Sequence, residues 1–320
     1  MDARRRSLLA MGLLAAGSRL VSAVAAESPA QFKRGSVQAN GLEFHFLEAG
    51  EGPLALCLHG FPDSPWSYRY LLPALAQVGY RGVAPYMRGY APTSIPADAR
   101  YDTRTLAADA NALHAALGGD ERAVLIAHDW GAVAAWGALA AEPQRWTRTA
   151  IGNVPPFGTV AFTYPQLKRS FYFWLFQLAV AEGMVAADDL AFIDGLWKDW
   201  SPGYDPSRDL PYVKESLRPA GHLAAAMGYY KTFFEPSRFG MPEWGQEQAS
   251  TWGKAVPQPV LYMHGTRDGC IGLDVVALDK VKGLLGPGSQ IQIIEGVGHF
   301  FMVQKPEDSN QRILNFLRQA

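Results

Sequence analysis

The stretch Val124-Leu125-Ile126-Ala127-His128-Asp129-Trp130-Gly131-Ala132-Val133-Ala134-Ala135-Trp136 constrains the fold more than any other part of the chain. Val124 to Ile126 is short, apolar and partly β-branched, the composition of a buried strand. From Gly131 onward alanine and valine dominate, which suits a closely packed helix. Between the two, Ala127 and Gly131 flank Asp129 at the spacing of a sharp strand-to-helix elbow. Such an elbow lifts one side chain to the carboxyl edge of a sheet. Here that side chain is a carboxylate.

The rest of the chain repeats the strand-then-helix rhythm. Ser36 to Ala49 alternates and breaks at Asn40-Gly41, a two-residue hairpin signal. Leu54 to Leu58 reads as a buried strand ending at His59-Gly60-Phe61-Pro62, and Tyr80 to Tyr86 as another ending before Arg88-Gly89-Tyr90. Thr105 to Leu117 has helical periodicity and stops at Gly118-Gly119. Further strands are expected near Thr149 to Gly152, at Val260 to Met263 and at Gln290 to Ile294, and an amphipathic helix at Glu307 to Leu317. Residues 157–245 differ: they are rich in aromatics at helical spacing and carry no clear strand. The pattern predicts an α/β fold, a mostly parallel sheet flanked by helices, with core segments 30–156 and 246–320 and a helical cap over 157–245.

A chain of 320 residues, 48% of them hydrophobic, can bury a core of this kind. Its formal net charge of −1 gives no electrostatic reason to expect a nucleic-acid partner. The two cysteines, Cys57 and Cys270, have no metal-ligand spacing and read as buried thiols, with a disulfide between them left open. At the start, Arg4-Arg5-Arg6 precedes an apolar stretch and the small residues Ala23-Val24-Ala25-Ala26, the layout of an export signal of twin-arginine type over residues 1–26. Arg19 interrupts the apolar stretch, which argues against a membrane span. Export to a bacterial periplasm or medium, without stable membrane anchoring, is the expectation.

Five short motifs then fall in order at the carboxyl ends of the predicted strands, where open α/β sheets place their sites. They are His59-Gly60-Phe61-Pro62, Arg88-Gly89-Tyr90, His128-Asp129-Trp130-Gly131, His264-Gly265-Thr266-Arg267-Asp268 and Gly298-His299-Phe300. Together they resemble the epoxide hydrolase group of the α/β-hydrolase fold over nearly all of the mature length. Three positions depart from the usual pattern: Ala127 replaces the first elbow glycine, Tyr86 stands where aspartate is usual, and Ala91 where glycine is common.

The resemblance gives the aspartate a purpose. A serine attacking a saturated carbon would leave an ether, whereas a carboxylate leaves an ester that water can cleave, so Asp129 suits the opening of an epoxide. Asp129 is equally well placed to cap the helix behind it. The chain order implies Asp268 as the acid that orients His299, and His299 as the base for water; Asp274 and Asn153 are the competing orienting groups. By the same resemblance the N–H groups of Phe61 and Trp130 form the oxyanion hole. Tyr172 and Tyr230 take the positions of two cap tyrosines that donate to the epoxide oxygen, with Tyr229 the neighbour open to confusion with Tyr230. Trp174 and Phe300 are expected in the substrate pocket. His59, His128 and His264 read as scaffold. The implied partners are a small epoxide and water, with no cofactor or metal. Two other readings use the same fold: a haloalkane or haloacid dehalogenase with Asp129 as nucleophile, and a ligand-binding protein without catalysis.

Overall fold

A computed structural model of the chain describes residues 32–319. The proposed export signal therefore lies outside the described residues. Among these residues eight strands form one sheet in the order β1-β2-β4-β3-β5-β6-β7-β8. The strands are β1 (Lys33–Ala39), β2 (Leu42–Ala49), β3 (Leu54–Leu58), β4 (Arg81–Pro85), β5 (Val124–His128), β6 (Arg148–Gly152), β7 (Val260–Gly265) and β8 (Gln290–Ile294). β1 and β2 form the hairpin, turning through Asn40 and Gly41, both at positive φ. β2 meets β4 antiparallel; from β4 onward every pairing is parallel.

The parallel strands are buried on both faces, which is why they read as continuous apolar runs. Alternation divides their side chains. Ala55, Cys57, Val124 and Ile126 face α1 (Leu71–Gln77) and α12 (Pro306–Leu317). Leu54, Leu56, Leu125 and Ala127 join the opposite core with α2 (Thr103–Ala116) and α3 (Trp130–Ala141). α2 starts cleanly because the Asp102 carboxylate accepts the Thr105 N–H at 3.0 Å. α3 sits close on the sheet because of Gly131, where a Cβ would collide with the Leu58 carbonyl.

Between β6 and β7 lie six helices: α4 (Tyr164–Arg169), α5 (Phe171–Leu175), α6 (Ala181–Trp200), α7 (Leu210–Leu217), α8 (His222–Phe233) and α9 (Pro242–Trp252). α6 is broken in the middle, with Asp188, Asp189 and Leu190 in the left-handed region. Residue 245 falls inside α9, which packs against α2 and α3. α10 (Leu278–Leu284) and α11 (Phe301–Gln304) complete the second core segment. No described helix is long and apolar enough to cross a membrane. Both cysteines are free, Cys57 within β3 and Cys270 after β7, so the open question of a disulfide resolves against one.

Candidate active site

Asp129 stands at the turn from β5 into α3 with φ 53° and ψ −122°. A non-glycine residue there costs on the order of 1–3 kcal/mol, and such strain collects where a side chain must be aimed. The carboxylate does not cap α3. Its Oδ1 instead accepts the Phe61 N–H at 2.7 Å. Gly60 allows this approach, since a Cβ there would strike the Asp129 carboxylate and the Trp130 nitrogen. Trp130 opens α3, so its N–H belongs to the set at a helix start that has no intrahelical acceptor.

The other carboxylate oxygen faces His299. His299 Nε2 lies 3.6 Å from Asp129 Oδ2, and its Nδ1 lies 3.0 Å and 3.2 Å from the two oxygens of Asp268. The imidazole is fully buried, and among the described residues Nε2 has no hydrogen-bond partner. Asp268 is itself fixed by the N–H groups of Cys270 at 2.7 Å and Ile271 at 3.1 Å. Burial disfavours an imidazolium, yet Asp268 and Asp129 outweigh it and raise His299 to about 10. Burial likewise works against the Asp129 carboxylate, but His299, His128 and the Phe61 N–H hold it below the usual aspartate range. The imidazole thus lies between the carboxyl groups of Asp268 and Asp129.

The cap reaches this array through the end of α6. The Trp200 carbonyl at the end of α6 accepts the N–H of His299 at 2.8 Å and that of Gly269 at 3.1 Å. Gly298 and Gly269 make room for it, because a Cβ on Gly298 would come within 2.6 Å of that carbonyl and one on Gly269 would overlap Asp199. The Trp197 indole donates to the Pro62 carbonyl at 2.7 Å, next to the Phe61 amide.

Tyr172 and Tyr230 line one cavity of about 290 Å³ together with Asp129 and Trp130. Their rings meet edge to face at 5.3 Å. Both are buried, which pushes their hydroxyls well above the ordinary tyrosine range and keeps them protonated donors. Half of the lining residues are aromatic, including Phe157, Phe233, Trp244 and Trp252. Tyr229 is set apart: its hydroxyl donates to the Arg88 carbonyl at 2.8 Å and serves the scaffold.

Two expected pocket residues are elsewhere. Trp174 is 38% exposed and packs edge-on against Phe239 and Phe234, outside the cavity. Phe300 is buried behind the site, stacked on Trp197 at 3.5 Å, and does not line the cavity. Asp274 pairs with Arg169 at the surface. Asn153 does touch the histidine: its Nδ2 donates to the His299 carbonyl at 2.6 Å, an acceptor shared with His128 Nε2 at 3.0 Å. His59 accepts the Met87 N–H, and His264 lies between Tyr262 and the Ile271 carbonyl. Cys270 is a cavity residue that sequence reasoning set aside as a buried thiol; its separation of two from Asp268 was the available signal.

A carboxylate raised on a strand–helix elbow and backed by a histidine–aspartate pair at the sheet's carboxyl edge marks the class of α/β hydrolases. Residues 53–306 match the family model for the alpha/beta hydrolase fold. The chain is 30% identical to Epoxide hydrolase A of Mycobacterium tuberculosis, covering 88% of this chain and 96% of that protein. It is 29% identical to the Epoxide hydrolase of Caballeronia sordidicola, covering 89% and 94%. A solved epoxide hydrolase of Vigna radiata superposes with a TM-score of 0.76 at 27% identity, covering 92% of this chain and all of that one. The chain belongs to the epoxide hydrolase family of the α/β-hydrolase fold, and it is a hydrolase.

Proposed function

We propose that this enzyme opens epoxides to vicinal diols through a covalent ester on Asp129. The observation that carries the reading is the division of labour between the two carboxylate oxygens. Oδ1 accepts the Phe61 N–H, while Oδ2 faces His299, and Asp129 itself lines the cavity. Oδ2 attacks an epoxide carbon, the ring C–O bond breaks, and the departing oxygen takes a proton from Tyr172 or Tyr230. The imidazolium proton of His299 returns, through solvent, to that tyrosine. Neutral His299 then takes a proton from water as its oxygen adds to the ester carbonyl carbon. The negative charge gathers on Oδ1, where the Phe61 N–H already points and the Trp130 N–H stands at the head of α3. Collapse breaks the acyl–oxygen bond, the diol leaves with the remaining water proton, and the resting carboxylate and imidazolium are restored.

Two observations support epoxides over organic halides as substrate. Both cap tyrosines line the cavity, whereas Trp174, whose indole N–H would have to join that of Trp130 to hold a halide between two indoles, lies outside it. The test is a His299→Gln variant, which removes the base and leaves the nucleophile. Mixed with an epoxide, it should accumulate protein plus one substrate mass on the peptide holding Asp129. No adduct at saturating substrate, or an adduct on another residue, would remove the two-step mechanism.

The export reading of residues 1–26 rests on Arg5-Arg6 and the small residues around Ala25. N-terminal sequencing of protein from its native host should find a mature start between about residues 24 and 30. Active cytoplasmic protein beginning at Met1 would reject it.

A further inference from the structure

Cys270 turns the nucleophile–base pair into a set of three donors. Its Sγ, a carboxylate oxygen of Asp129 and a ring nitrogen of His299 all lie within 4.8 Å of one another. All three residues are buried, and Cys270 and Asp129 line the cavity that gives access from outside. Thiolate, imidazole and carboxylate are the donor types that Zn²⁺ takes, with three protein ligands and one open position in sites that remain accessible. Thiolate tilts such a set toward soft cations and away from Mg²⁺ or Ca²⁺.

The three donors, within 4.8 Å of one another, draw together on an ion. Zn–S near 2.3 Å and Zn–N or Zn–O near 2.0–2.2 Å put tetrahedral donors roughly 3.3–3.8 Å apart. The His299 Nε2 to Asp129 Oδ2 separation is already 3.6 Å. Each donor is also held from behind, as metal ligands characteristically are. Asp268 accepts from His299 Nδ1, which leaves Nε2 as the other nitrogen, buried and without a hydrogen-bond partner among the described residues. Phe61 holds Asp129 Oδ1 and leaves Oδ2 free. The Tyr172 hydroxyl lies 3.4 Å from the Cys270 sulfur and orients it.

We propose that Asp129, His299 and Cys270 form a three-ligand site for a soft divalent cation, Zn²⁺ or Cd²⁺, whose occupation shuts the cavity to substrate. Binding replaces the thiol proton and the imidazolium proton with the metal and releases both to solvent. The ion engages the carboxylate and the imidazole together, so metal and substrate exclude one another. Coordination does not depend on which reaction the cavity catalyses.

The experiment is titration of untagged, full-length protein with Cd²⁺ alone, read by equilibrium dialysis and by thiolate-to-metal charge-transfer absorption. One Cd²⁺ per chain is expected, with the charge-transfer band. Loss of an outer-shell partner alone weakens a metal site by roughly 10–100-fold, so Cys270→Ser should weaken binding at least that much and abolish the band. His299→Gln should weaken binding by a similar factor with the band reduced, and it serves independently should the serine variant fold poorly. Cys57→Ser should keep both signals, because that thiol is buried in β3 away from the cavity. Absence of stoichiometric Cd²⁺, or affinity and band unchanged in Cys270→Ser, would overturn the proposal. So would loss of the band in Cys57→Ser alone.

Discussion

Neutralising Asp129 should bring His299 out of its charged state, and the size of the effect follows from one distance. His299 Nε2 is 3.6 Å from Asp129 Oδ2, and the histidine is raised to about 10 by the two carboxylates acting against burial. At an effective dielectric constant of about 20, unit charges that far apart interact by roughly 4–5 kcal/mol, equivalent to about three pH units of titration. Replacing Asp129 by Asn removes the charge and keeps the shape, as the ester of the proposed mechanism would. His299 should then titrate in the neutral range, where it is able to act as a base. The assay is NMR titration of ring-labelled histidine in the wild type and in Asp129→Asn, with the carboxamide verified by mass. Stability gives a second readout with a definite sign. The raised histidine contributes stability that is complete below its unfolded value near 6.5 and is lost as pH climbs to about 10. The slope approaches 1.4 kcal/mol per pH unit inside that window, and Asp129→Asn should flatten it. A wild-type His299 that titrates at the ordinary value, or one unmoved by Asp129→Asn, would refute the reasoning.

Replacing both cap tyrosines by Phe should slow formation of the Asp129 adduct by on the order of 2–4 kcal/mol per hydroxyl, by analogy with loss of one oxyanion donor. Pre-steady-state rates should place that loss on ester formation and not on ester hydrolysis, and full epoxide turnover by the double variant would reject both assignments. Gly298→Ala should lower both melting temperature and turnover, because its Cβ would meet the Ser201 backbone and the Trp200 carbonyl that together position the His299 loop. Thermal melting beside activity checks this; an alanine variant with wild-type values would show that the packing is slack.

The parallel core is legible in the chain because strands covered on both faces need apolar side chains at every position, and short runs such as Leu54 to Leu58 have few other uses. The elbow is legible for a related reason: small residues stand two positions either side of Asp129, and at Gly131 a Cβ would strike the Leu58 carbonyl. The cap is less so. In the run from Phe171 to Phe176, Tyr172 and Phe176 are buried while Phe171 and Trp174 are more than a third exposed. Aromatic residues occupy every position but Leu175, so hydrophobicity alone cannot say which face turns inward. Phe300 follows His299 directly, yet the neighbouring peptide turns it back onto Trp197. Asn153 reaches the site through a backbone at φ 63°, a conformation that no pattern of side-chain polarity announces. Cys270 illustrates the same limit, since a small apolar thiol suits a core and a ligand site equally well.

The single carbonyl of Trp200 links two loops that leave the sheet at different places, one carrying Asp268 and one carrying His299. The spacing of acid and imidazole is therefore gauged by a peptide of the cap as well as by the strands. An exchange of caps between relatives has to carry over that one oxygen at the end of α6, whatever else it changes in the cavity wall. Losing the Trp200 carbonyl would release both N–H groups at once and loosen the spacing of the pair. The cap is thus part of what aims the histidine, as well as a wall above it.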